Sequence, residues 1–181
     1  RYWKEKRGLS DAAIRRFGLG YAPEDFGGLL HYLKRRGFSE EELETSGLVK
    51  RSAKGNLYDI FRHRVMVPII DVRGAIIAFG GRVLDDSKPK YINSPETMVY
   101  KKSRTLFALN VAKKSPNKRY ILCEGYMDVI SMHEAGFDTA VCACGTALTP
   151  EQVKLLTEYA DEVVLSYDSD EAGQKATARS L

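Results

Sequence analysis

The chain has 181 residues, 44% hydrophobic and 29% charged, a globular balance that excludes a disordered or collagen-like chain. No run of about 18 apolar residues occurs, which excludes a membrane-spanning helix, and three cysteines without a CxxC pair exclude a disulfide framework and point to a reducing, cytoplasmic setting. The net charge of +4 is unevenly divided: residues 1–119 hold 25 Lys and Arg against 13 Asp and Glu, a net +12, whereas residues 120–181 hold 3 against 11, a net −8.

Such a division pairs a polyanion-binding part with a site of another kind, or sets two solvated surfaces of opposite sign side by side. The chain opens at Arg1 without a methionine or a signal peptide and stops at Leu181 inside a helical pattern. It is therefore expected to be a piece of a longer protein.

"RGLSDAAIRRFGLGYAP" predicts a short helix capped by Ser10 and closed by Pro23. "FGGLLHYLKRRGFSEEELETSGLV" predicts a helix ending at Gly37 and a second one opened by a Ser39–Glu42 capping box. Lys34, Arg35 and Arg36 fall in the last turn of the first of these, where they complement the helix dipole before they serve any polyanion. "HRVMVPIIDVRGAIIAFGGRVL" predicts a β-hairpin turning at Asp71–Gly74. Pro68 argues for an edge or an irregularity there, and Gly80-Gly81 for a bend just before Arg82. The following "KPKYINSPETMVYKKSRTLFALNVA" is basic, interleaved with Tyr91, Tyr100 and Phe107, and reads as loop, short strand and helix. "KKSPNKR" is a polar connector, which places a domain boundary between residues 117 and 118.

Beyond it the pattern is strand–helix repeated: "YILCEG", "YMDVISMHEAGF", "TAVCAC", "TPEQVKLLTEYA", "EVVLSYD" and "EAGQKATARSL". Thr149 and Pro150 open the fourth of these segments as N-cap and first helical residue. Apolar strands alternating with amphipathic helices predict a parallel sheet covered on both faces. The expected fold is thus an α+β basic part, residues 1–117, followed by an α/β part, residues 118–181, with Cys123, Cys142 and Cys144 buried as small hydrophobes.

Ligands of such sheets gather at the carboxyl ends of the strands. Glu124 ends the first strand and Gly125 turns the chain into a helix whose first turn carries Asp128. Asp168 and Asp170 end the third strand and, two residues apart, point the same way. Four carboxylates this close raise one another's pKa unless a cation joins them, and oxygen ligands without His or Cys suit Mg²⁺ or Mn²⁺. The plainer reading of each alone is a turn, a strand end or, for Asp128, a charge at a helix N-terminus.

"EGYMDVI", "CGTALTPEQ" and "YDSDEAGQKA" resemble the Toprim domain of topoisomerases and primases. "FRHRVMVPIIDVRGAIIAFGGRVL", "KPKYINSPETMVYKKSRTLFAL" and "RFGLGYAP" resemble the RNA polymerase region, the catalytic core, of bacterial DnaG-type primases, so the likeness runs over essentially the whole chain. The resemblance implies an enzyme that makes short RNA primers on single-stranded DNA from ribonucleoside triphosphates. It likens Glu124 to the catalytic glutamate and Asp168 and Asp170 to the metal-binding pair, with Asp128 an acidic position of the primase form. It also implies that Arg82, Lys90 and Lys102 face the cleft. Arg62 and Arg64 flank a strand entrance and are divided between a cleft role and an ion pair. Glu124 stays open between metal ligand and proton acceptor. The family's zinc domain and its helicase-binding region would lie outside this chain. A related enzyme that cleaves and rejoins DNA, and a non-catalytic nucleic-acid-binding module, are the competing readings.

Overall fold

A computed structural model describes residues 1–145 and 147–168. After a single π-helical turn at Tyr2–Lys6 that buries Trp3, α1 (Asp11–Arg16) is opened by Ser10, whose Oγ accepts the Ala13 N–H at 3.1 Å. β1 (Gly20–Ala22) follows, then α2 (Gly28–Arg35) and α3 (Glu40–Thr45), the latter with both halves of the Ser39–Glu42 capping box in place. No local side chain caps α2. Its Leu29 and Leu30 N–H groups donate instead to the buried carboxylate of Asp59, at 2.8 and 2.9 Å, at the end of β3 (Leu57–Asp59), the hairpin partner of β2 (Val49–Arg51).

The expected long hairpin is β4 (Arg64–Ile70) and β5 (Ile76–Val83). Asp71 holds its turn by accepting the Arg73 and Ala75 N–H groups, both at 2.9 Å, and Gly74 takes a φ of +95° that favours glycine. With β6 (Tyr91–Asn93) these strands form an antiparallel sheet in the order β1-β4-β5-β6. Pro68 lies beyond the stretch of β4 that β1 covers, and the register slips between Ile69 and Ile70. Gly80-Gly81 is not a bend. β5 runs straight through the pair, in register with Asn93 and Ile92. A Cβ at Gly80 would lie 2.6 Å from the Tyr126 ring, and one at Gly81 would lie 2.8 Å from Phe61. The glycines are a slot for close packing rather than a hinge.

A 3₁₀ turn at Lys102–Arg104 leads to the short β7 (Leu106–Phe107) and α4 (Leu109–Ala112). Then come β8 (Arg119–Cys123), α5 (Tyr126–Glu134), β9 (Ala140–Ala143), α6 (Pro150–Thr157) and β10 (Glu162–Ser166). β10, β8 and β9 are parallel, and β7 closes the far edge antiparallel, giving the order β10-β8-β9-β7. Alternate strand residues go to opposite faces. Cys123, Ala140 and Cys142 meet Val129 and Ile130 of α5, whereas Tyr120, Leu122 and Val141 meet Leu156 of α6. Each fully enclosed aliphatic side chain of this kind contributes roughly 1.5–3 kcal/mol.

The two sheets share a core. Trp3, Leu9, Phe17, Val65, Val67 and Ile69 lie in one apolar cluster with Tyr126, Val129, Ile130 and all three cysteines. Tyr100 (0% exposed) and Phe107 (2%) belong to it too, so these two aromatics of the basic segment are packing residues, and Tyr91 alone of the three faces solvent.

Candidate functional site

Parallel pairing of Ser166 with Cys123 brings the carboxyl ends of β8 and β10 side by side. Glu124 leaves the tip of β8 into solvent, and its Oε2 accepts the Asp168 N–H at 3.3 Å. Asp128 caps its own helix: its Oδ2 accepts the Gly125 N–H at 3.0 Å. This is the structural role that an acid in a first helical turn takes. Asp170 lies outside the described residues, as does Thr146 at the neighbouring loop.

Among the described residues no Lys or Arg forms an ion pair with Glu124, Asp128 or Asp168. Unpaired, solvent-facing carboxylates from adjacent strands fit a hard divalent cation that keeps several waters. The described residues do not by themselves gather three such ligands around one point.

The tip of β9 is where the basic half arrives. Asn93, the last residue of β6, donates from Nδ2 to the Cys144 carbonyl at 3.1 Å and accepts at Oδ1 from the Tyr126 hydroxyl at 2.7 Å. Tyr126 is buried against Phe107, ring centroids 4.9 Å apart, and covers Gly80. Burial raises its hydroxyl pKa, so it stays a neutral donor. Burial likewise pushes the Cys123 thiol up to about 12, with the Asp128 charge a smaller cause, and the Cys144 thiol up to about 11. Neither is a thiolate nucleophile at neutral pH.

Arg82 is half-buried, with its guanidinium carbon 5.6 Å from the Tyr2 ring centre and 5.8 Å from that of Tyr91. It donates to the Val83 carbonyl at 3.0 Å. Lys90 is exposed, next to Tyr91. Lys102 opens the 3₁₀ turn, and its positive charge acts on the Cys144 thiol at the end of β9.

A family model for the N-terminal domain of the DNA primase catalytic core matches residues 1–113, well over half of the chain. The chain belongs to the DNA primase catalytic-core family. A Toprim-like model matches residues 121–181, so the basic part is followed by an α/β Toprim-like part with a parallel sheet. A DNA primase of Clostridium acetobutylicum is 52% identical over 96% of this chain, and one of Deinococcus radiodurans is 49% identical over 97%. The chain spans 29% and 31% of the length of these two curated relatives. Among solved structures, a DnaG primase catalytic domain bound to ssDNA has a TM-score of 0.89 at 40% identity, covering 99% of this chain and 59% of that one. A DNA primase domain from Pseudomonas aeruginosa has a TM-score of 0.90 at 42% identity, covering 97% and 56%. Primase cores with a Toprim-like domain work with a divalent metal ion.

Within this primase core, one expected cleft residue is placed elsewhere. Arg64 is 7% exposed and spends its guanidinium on backbone carbonyls, Pro89 at 3.0 Å, Lys90 at 3.3 Å and Gly81 at 3.4 Å. It is neither a cleft residue nor half of an ion pair among the described residues. It holds the loop that presents Lys90. Its neighbour Arg62 lies over the Phe26 and Tyr58 rings and donates to the Asp59 carbonyl. Asn93 and Tyr126 escaped the sequence reading. The available signal was a lone amide ending the strand of "YINSP" and a tyrosine opening the helix "YMDVISMHE".

Proposed function

We propose that this chain is the nucleotidyl-transfer core of a bacterial DNA primase, which makes short RNA primers on single-stranded DNA at the replication fork in the cytoplasm. What supports this reading is that Glu124 and Asp168 stand on the adjacent tips of β8 and β10, with Asn93 of the basic half bonded to the Cys144 carbonyl just beyond the neighbouring β9. The relative solved with single-stranded DNA supports the choice of template. Cutting the chain at 117/118 is proposed as a division of labour, phosphate-binding wall against metal-binding tips, since the two parts share one core.

Glu124, Asp168 and Asp170, with Asp128, would hold the metal, Mg²⁺ in preference to Mn²⁺. When bound, it supplies charge stabilisation at the reacting phosphate and lowers the pKa of the attacking hydroxyl. The reaction joins a primer 3′-hydroxyl to the α-phosphate of a ribonucleoside triphosphate, with pyrophosphate leaving. Arg82, Lys90 and Lys102 neutralise the phosphates of template and nucleotide and hold them in line. Glu124 serves either as ligand or as acceptor of the hydroxyl proton. Tyr91, exposed beside Arg82, offers a face on which a template base stacks. The zinc domain and the helicase contact belong to other parts of the parent protein.

The test is Mg²⁺-dependent primer synthesis on single-stranded DNA by the full-length parent. Glu124→Gln should abolish synthesis while template binding persists. Synthesis at the parental rate in that variant would sink the proposal.

A further inference from the structure

Gln152 is the most deeply buried polar side chain among the described residues, at 0% exposure. It occupies the third position of α6 and completes a capping box, its Oε1 accepting the Thr149 N–H at 3.0 Å. A cap needs no more than that oxygen, and a glutamate would supply it equally. The amide nitrogen does something else. It donates to the carbonyls of Lys102, at 2.9 Å, and of Thr105, at 2.8 Å, some 50 and 47 residues earlier. The Thr149 hydroxyl adds a third bond of this kind, to the Ser103 carbonyl at 2.6 Å.

The 3₁₀ turn at Lys102–Arg104 is thereby gripped through two of its own carbonyls and that of Thr105, which follows it, by the first turn of a helix in the other half. From the opposite side the Lys102 N–H donates to Glu96 at 3.0 Å. Both backbone polar groups of Lys102 are thus held by side chains, the N–H by one six residues away and the carbonyl by one 50 residues away. A 3₁₀ turn this short has little stability of its own. Without the grip its lysine would sample many positions, and a flexible ammonium neutralises a fixed phosphate poorly.

We infer that Gln152, seconded by Thr149, is a positioning residue that holds the Lys102 backbone so that its ammonium meets nucleic-acid or nucleotide phosphate at the carboxyl end of β9. This rests on the proposed reading of that mouth as a template and nucleotide site.

The experiment measures the salt dependence of single-stranded DNA binding by the full-length parent and by Lys102→Ala, Gln152→Leu and the double variant. Loss of one phosphate contact lowers the slope of log K against log salt by about one unit. Lys102→Ala should show that loss, Gln152→Leu should show it with Lys102 still present, and the double variant should lose no more than either alone. An unchanged slope in Lys102→Ala overturns the reading of the mouth. A lowered slope in Lys102→Ala beside a parental slope in Gln152→Leu overturns the positioning role alone, as does a double variant whose losses add. Should Gln152→Leu fail to fold, Thr149→Val takes its place, because it removes the bond to Ser103 together with the hydroxyl cap on the Gln152 N–H and leaves the Gln152 amide. A partial loss of slope there supports the role, and a parental slope overturns it.

Discussion

On the basic side of the mouth, Arg64 is almost wholly enclosed and bonded to three carbonyls, and Gly80 lies flat beneath the Tyr126 ring. Across from it, Glu124 and Asp168 stand in solvent and share one 3.3 Å contact. The first wall is built by packing and backbone bonding, so its cations arrive at positions decided by the fold. The second is left electrostatically unsatisfied, because its carboxylates stand on adjacent strand tips with no ion pair to a protein cation among the described residues. Rigidity on one side and unmet charge on the other suit a site whose ligand is itself part metal and part phosphate.

That contrast can be broken by asking which wall a substitution harms. The largest effect is expected at the tips. Asp168→Asn in the full-length parent should lower primer synthesis by about 100-fold or more while leaving the denaturation midpoint near its parental value, since an exposed side chain away from the core changes stability by no more than about 0.5 kcal/mol. A large loss of stability there would place Asp168 among the structural residues. Gly80→Ala should do the reverse, costing about 2–3 kcal/mol by forcing a methyl group into the Tyr126 ring, measured by urea denaturation. Arg64→Met should cost about 1–3 kcal/mol by leaving the Pro89 and Lys90 carbonyls without their donor. It should weaken template binding as well through the loosened Lys90 loop. Parental template affinity in Arg64→Met would separate that loop from the phosphate-binding wall.

Smaller still is a pH effect in the shared core. His133 is buried, its Nε2 bonded to the Ala140 carbonyl at 2.9 Å and its ring edge-on to Phe17, and burial lowers its pKa below the ordinary imidazole value. The folded state thus resists the proton that the unfolded chain takes up near pH 6.5. Its stabilising effect is complete above that pH and declines as the pH falls toward the lowered value. Denaturation midpoints at pH 7.5 and 5.5 should differ less in His133→Gln than in the parent; an equal difference would assign the acid sensitivity to other groups. Last, Lys90→Ala should leave stability unchanged and lower the salt slope of template binding by about one unit. An unchanged slope would point Lys90 away from the template.

The features legible in the sequence were those set by near neighbours. Ser10, the Ser39–Glu42 pair and Thr149-Pro150 open helices where capping chemistry places them, Asp71–Gly74 turns the hairpin, and strand periodicity puts Glu124 and Asp168 at adjacent tips. What was missed depends on partners far along the chain. Arg64 reads as a charge at a strand entrance until the 89–90 loop folds over it. Gly80-Gly81 reads as a bend until Tyr126 arrives from the other sheet. Tyr100 and Phe107 read as aromatics interleaved in a basic segment until β7 carries that segment into the second sheet. The cap of α2 likewise comes from Asp59, about 30 residues downstream, where no local pattern announces it.

The position of β7 has a practical consequence for anyone dissecting the molecule. Leu106 and Phe107 pair with Ala143 and Cys142, so the last ladder of the parallel sheet is made by residues lying before the connector. A fragment started at Lys118 would strip that border from β9 and bare a row of unpaired backbone N–H and C=O groups. Such an open margin recruits other chains, and an excised C-terminal piece is expected to precipitate or self-associate where the longer chain remains dispersed.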